Sequence, residues 1–151
     1  MNGEQYFAAG TEDAAERERL GMLELLMDPL TIRRLEARGV TEAWNCLEVG
    51  AGGGSVALWL AQRVAPGGRV VASDINTRFL RDLDMPNLEV RQHDIVSDDL
   101  EKGGYDLVHC RALLLHLAER EKGLRRMAAA VRPGGWLLIE ESDYGLFGAA
   151  N

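Results

Sequence analysis

The chain has 151 residues, 46% hydrophobic and 27% charged, with 17 Lys and Arg against 24 Asp and Glu for a formal net charge of −7. That length and apolar share suit one globular domain with a core of its own, and the acidic balance excludes electrostatic capture of nucleic acid or an anionic membrane, which needs a basic face. No long uncharged apolar run and no leader pattern marks the sequence, so a cytoplasmic protein is expected.

Residues 1–10 show no period and read as a mobile start, or as a lid in which Tyr6 and Phe7 order on a ligand. From 13 to 27, Leu20, Leu23, Leu26 and Met27 recur at helical spacing. Asp28 and Pro29 then suit the cap and first position of a second helix, lined by Leu30, Ile32 and Leu35 and closed by Gly39. Two helices are thus expected ahead of the first strand, as an N-terminal segment over 1–39.

Strand and helix patterns alternate over the rest, 40–151. Strands are predicted at 44–49, 69–73, 88–91, 105–110 and 136–140. Helices are predicted at 55–64, 76–83 and 112–131, with a helical turn at 98–101. This order makes an α/β fold, a doubly wound and mostly parallel sheet with right-handed crossovers. Cys46 and Cys110 fall in predicted buried strands with no partner at metal-ligand spacing. Both read as small core hydrophobes, and no metal site is expected.

The chemistry gathers where the first strand ends. Cys46-Leu47-Glu48-Val49 runs into Gly50-Ala51-Gly52-Gly53-Gly54, and a helix starts near Ser55. Glycines at 50, 52 and 54 let backbone approach a ligand, and the helix start offers free N–H groups. In an open α/β sheet ligands lie beyond the carboxyl ends of the strands. Acids stand there in series: Glu48 closes the first strand, Asp74 the second, and Asp94 follows the third. Asp74 comes 24 residues after Gly50, a spacing at which a carboxylate accepts both hydroxyls of a ribose. Asp94 can accept an exocyclic amine such as that of adenine. Each acid also has a plain structural use: Glu48 and Asp74 as helix caps, Asp94 as a strand end. Three together beside a glycine turn are hard to assign to capping.

A dinucleotide fingerprint would demand glycine or alanine at position 55, where Ser55 stands. Glu48 would also repel a pyrophosphate and attract an α-amino group. With those residues in place, Glu48-Val49-Gly50-Ala51-Gly52-Gly53-Gly54 resembles the first motif of the class I S-adenosylmethionine-dependent methyltransferases, a Rossmann-like family. The resemblance runs along nearly all of 40–142. Val70 to Ile75 resembles the second motif, Arg91 to Ile95 the third, Tyr105 to Arg111 the fourth strand, and Val131 to Glu141 the Pro-Gly-Gly stretch that follows.

The resemblance implies S-adenosylmethionine as cofactor, S-adenosylhomocysteine as product and a small-molecule acceptor. It implies that Glu48, Gly50, Ala51, Gly52 and Gly54 contact the methionine portion. Asp74 would hold the ribose with Ile75 against the adenine, and Asp94 with Ile95 would hold the base. Cys110 and Arg111 would lie under the sulfonium. His116 is the candidate base for an acceptor that must lose a proton, and a partly buried core histidine is its other reading. His93 and His109, beside or inside strands, are weaker candidates. Glu140, Glu141 and Asp143 read as acceptor contacts or exposed acids. The family sheet has seven strands and the sequence supplies five, so it looks truncated, with an exposed fifth-strand edge that a homodimer would cover. A cofactor-binding fragment without turnover, and a NAD(P)-dependent oxidoreductase, are the competing functions.

Overall fold

Runs of Val, Leu, Ile and Cys bounded by glycine, proline and acidic residues become five strands in the computed structural model, which describes residues 11–143. They are β1 (Asn45–Val49), β2 (Arg69–Asp74), β3 (Leu88–Gln92), β4 (Tyr105–Arg111) and β5 (Val131–Glu140), paired in the order β3-β2-β1-β4-β5 with every pair parallel. Helices α1 (Thr11–Ala37), α2 (Ser55–Val64) and α3 (Arg120–Ala130) pack on the sheet. The doubly wound arrangement is the expected one. Strand order reverses between β1 and β4, which fixes where a ligand crevice opens. Tyr6 and Phe7 lie outside the described residues. No helix among those described is long and apolar enough to cross a membrane.

Side-chain alternation divides the core. Leu35, Cys46, Leu60, Val64, Val70 and Leu107 pack on one face of the sheet, and Leu47, Val49, Val71, Val108, Cys110 and Met127 on the other. Both cysteines are buried and free, and burial pushes both thiols up, as expected of core hydrophobes.

Four expectations are corrected. The first concerns α1, which is one helix and not two: Pro29 lies inside it. Pro29 costs a backbone hydrogen bond. Contacts on either side of it hold the chain helical through the gap, with Asp28 paired to Arg111 before it and Thr31 and Arg34 bound to Glu140 after it. Gly39, at φ +79°, does end α1.

The second is the segment 76–83, which forms turns and no helix. Asn76 Oδ1 accepts the Arg78 N–H and Leu80 N–H bonds to Thr77 O, so the cap residue closes a turn. So short a stretch does not repay helix nucleation. Residues 98–101 likewise form no helical turn.

The third is 112–131, where the single long helix is replaced by a 3-10 turn at Leu114–His116 and then α3. Ala112 has φ +52°, and the N–H groups of Leu113 and Leu114 go to Glu141 Oε1 at 2.9 and 2.7 Å. The backbone donors are thus spent on a carboxylate at the end of β5. The fourth is β5, which begins at Val131 and includes the Pro133-Gly134-Gly135 stretch as an irregularity in its pairing with β4.

Gly54 shows how tightly the glycine turn sits on this frame. It precedes α2 at φ +87°, and a Cβ there would stand 2.5 Å from Leu83 Cδ1 and 2.9 Å from Leu80 Cδ2. Its requirement comes from packing against 80–83. Gly54→Ala is expected to lower the unfolding free energy by about 2 kcal/mol, through overpacking and backbone strain. Urea denaturation with an unchanged m-value would measure it.

Candidate functional site

The carboxyl ends of β1, β2 and β4 open into a cavity of about 410 Å³, a volume suited to a small organic ligand or cofactor. Three elements wall it. The glycine turn forms the floor, α1 presents Leu20, Leu23, Glu24 and Met27, and the segment around Leu113, Leu115 and His116 closes the third side.

The floor owes its shape to backbone hydrogen bonds. Gly50 N–H and Ala51 N–H bond to Ser73 O at 2.8 and 3.0 Å, tying the turn to β2. Asp74 Oδ2 accepts the Gly52 N–H at 2.9 Å and Oδ1 accepts the Asn76 N–H at 3.0 Å. Burial pushes the Asp74 carboxyl up, and these N–H groups pull it part of the way back. Gly50 and Gly52 have φ +69° and +57°. A Cβ at Gly50 would come to 3.0 Å from Leu113, and one at Gly53 to 2.3 Å from Glu24 Oε1. Both neighbours belong to the opposite walls, so side chains on the turn would fill the cavity.

Of the residues singled out from sequence, Glu48, Gly50, Ala51, Gly52, Asp74, Ile75, Asp94, Ile95, Arg111 and His116 line the cavity. Gly54 and Cys110 do not. Gly54 faces Leu80 and Leu83, and Cys110 is fully buried in the core on the other face of the sheet. Ile75 is 44% exposed, which leaves an apolar surface beside Asp74. Asp94 Oδ1 accepts the Val96 N–H at 2.8 Å, fixing the loop after β3. His116 stands in the 3-10 turn and not in a long helix. Arg111 turns its guanidinium to α1, with Nη1 3.0 Å from Thr31 Oγ1 and 2.9 Å from Asp28.

The largest departure from expectation is behind the floor. His109, one of the two weaker candidates from sequence, is fully buried between two glutamates. Its Nδ1 is 2.6 Å from Glu48 Oε2 and its Nε2 is 2.9 Å from Glu140 Oε2. Glu140 is not an exposed acid: it is 5% exposed and also receives the Thr31 hydroxyl at 2.7 Å and the Arg34 guanidinium. Burial by itself would lower the His109 pKa, but the two carboxylates outweigh it and raise it to about 9. Burial alone would raise Glu140, yet bonds from His109, Arg34 and Thr31 bring it down to about 2. One signal for this cluster was legible: at spacing two along β4, His109 and Arg111 share the face of Leu107, opposite to Val108 and Cys110, and that face carries Glu48 and Glu140. The register that sets Glu48 opposite His109 was not.

Protonation of His109 stabilises the fold fully below about pH 6.5, its ordinary value, and is lost as pH rises through about 9. Ionised Glu140 contributes above about 4.5 and is lost as pH falls towards 2. Thermal melting across pH 2–10 should therefore show highest stability between about pH 5 and 6.5, with losses of several degrees on either side. Glu140→Gln should weaken the acid-side loss.

The chain is similar to known methyltransferases in both sequence and fold. A family model described as a methyltransferase domain matches residues 47–137. "Methyltransferase str2" of Strobilurus tenacellus is 35% identical over 99 residues, 65% of this chain and 35% of that protein. The ubiquinone biosynthesis O-methyltransferase of Bordetella avium is 29% identical over 121 residues, 75% of this chain and 49% of that protein. A solved structure of a SAM dependent methyltransferase from Aquifex aeolicus superposes with a TM-score of 0.70 at 23% identity, covering 83% of this chain and 70% of that one. That likeness establishes the fold. The chain spans about a third to a half of the length of these curated relatives.

Proposed function

The chain belongs to the methyltransferase domain family, with the class I S-adenosylmethionine-dependent fold, and on that premise we propose that its cavity binds S-adenosylmethionine for methyl transfer to a small-molecule acceptor. One observation carries this reading. Two carboxylates, Asp74 and Asp94, and an exposed Ile75 share one cavity with a glycine floor that side chains would fill.

Asp74 would accept the ribose hydroxyls on the lone pairs its two backbone bonds leave over. Ile75 and Ile95 would sandwich the adenine, with Asp94 at its amine. Gly50, Ala51 and Gly52 would take the methionine portion beside Glu48, whose other oxygen holds His109. Gly54 and Cys110 would act from behind the cavity wall, by packing. Arg111 would act by holding α1 in place. When bound, the cofactor supplies an electrophilic methyl group on a sulfonium, and transfer is then mostly a matter of holding the acceptor in line. The cavity side formed by Leu23, Met27, Leu113 and Leu115 would seat an apolar acceptor, with His116 placed to take a proton from a hydroxyl or amine.

Calorimetry tests the reading. S-adenosylhomocysteine is expected to bind and NADH not to. Asp74→Ala should weaken S-adenosylhomocysteine by about 10- to 100-fold, the worth of a hydrogen bond or two to a charged group. Tight NADH binding with none to S-adenosylhomocysteine would overturn the proposal.

We also propose that a second copy of the chain covers β5, which edges the sheet of the described residues and carries Trp136 at 44% exposure. A dimer mass by light scattering is expected, and a clean monomer at high concentration would count against it.

A further inference from the structure

We propose that His109 is a positioning residue of this site: a buried imidazolium that fixes the carboxylate of Glu48 at the glycine floor and, through Glu140, locks the helical wall of the cavity to the sheet.

With both glutamates ionised, the geometry calls for two protons on the ring. Each ring nitrogen lies at hydrogen-bond distance from a carboxylate oxygen, Glu48 Oε2 at 2.6 Å and Glu140 Oε2 at 2.9 Å. A neutral imidazole carries one N–H and would set a lone pair against one of the two acceptors. Glu140 also accepts from Thr31 on the same oxygen and from Arg34 on the other, and both contacts favour its ionised form. The upward shift of His109 and the downward shift of Glu140 agree with this assignment.

The charges around it close on themselves. Glu48 comes from β1, Glu140 from β5 and Asp28 from α1; the cations are His109 and Arg111 from β4 and Arg34 from α1. Three carboxylates meet three cations. The neighbouring thiol of Cys110 points to the other face and is held protonated by burial. Such a cluster tolerates burial only while every member keeps its partner.

Its connections give the cluster its consequence. Glu48 lines the cavity, so the ring that holds its Oε2 decides where its Oε1 points. On the far side Glu140 grips α1 at Thr31 and Arg34. The first half of that same helix carries Leu20, Leu23 and Glu24 on the cavity wall. Loss of the His109 proton would place a lone pair against a carboxylate and loosen both attachments together. The effect on ligand rests on the proposed function, and the protonation state does not.

The test has two arms. In wild-type protein labelled with 15N-histidine, His109 is expected to show both ring nitrogens protonated at pH 7 and to titrate near pH 9; Glu140→Gln should bring that midpoint down. A single neutral tautomer at pH 7 would overturn the proposal, and this arm needs neither ligand nor a His109 variant. In the second arm, calorimetry at pH 7 compares S-adenosylhomocysteine with 5′-methylthioadenosine, which lacks the amino-acid portion. His109→Gln is expected to weaken S-adenosylhomocysteine about tenfold and methylthioadenosine by no more than about twofold. Equal losses for the two would overturn a positioning role. If wild-type protein binds neither compound, the proposed function fails while the first arm still decides His109.

Discussion

A histidine fully enclosed by protein, with a glutamate on each ring nitrogen, is the interaction on which the rest of this structure depends. Three parallel strands bring charged or ionisable groups to one face near their carboxyl ends, in Glu48, His109 and Glu140. Unpaired, any of the three would be costly to bury. Paired, they turn the middle of the sheet's open end into a rigid platform. The ladder bonds place backbone there, but the histidine bridge joins side chains across β1, β4 and β5.

From that platform the helical wall follows. Proline inside a helix removes a hydrogen bond and clashes with the turn before it. Helix α1 survives Pro29 because the pairing of Asp28 with Arg111 and the grip of Glu140 on Thr31 and Arg34 bracket that position. Leu35, with no exposed surface, adds an apolar anchor one turn on. The stretch before the proline is then carried out over the glycine turn, where Leu20 and Glu24 face Gly52 and Gly53. A helix that sequence spacing assigns to a separate N-terminal segment is therefore part of the site itself.

What was legible in the sequence was the part governed by local rules. The residues of α2 follow from the glycine turn ahead of it and Pro66 behind, and the strands from their β-branched runs and short length. The acids at 74 and 94 and the apolar residues after them could be placed on the cavity from spacing, because parallel strands put their carboxyl ends on one side. What stayed hidden depends on contacts between distant segments. The run Leu113, Leu114, Leu117 imitates a helical face. The Glu141 carboxylate, reaching from β5, instead takes the N–H groups that a helix would have used at its start. Likewise Glu140 reads as a surface acid until the register sets Arg111 opposite it and α1 lies over it. Histidine at 109 reads only as a weak candidate inside a strand until Glu48 is found across the ladder.

The same contrast bears on how such a fold comes to bind anything. An open α/β sheet offers a crevice at its switch point, but a crevice open to water gives weak electrostatics and a poorly fixed ligand. Here the open side is roofed by α1, and the roof is fastened by charge pairs and not by apolar packing alone. Leu25 and Leu26, on the helix, remain 78% and 73% exposed, so the hydrophobic effect does little to hold that part of it down. A roof held by directional bonds to Glu140 and Arg111 has a defined position, and a defined position is what a cavity wall at ligand-contact distance requires. The order of causes thus runs from the buried histidine to the platform, from the platform to α1, and from α1 to the shape of the cavity.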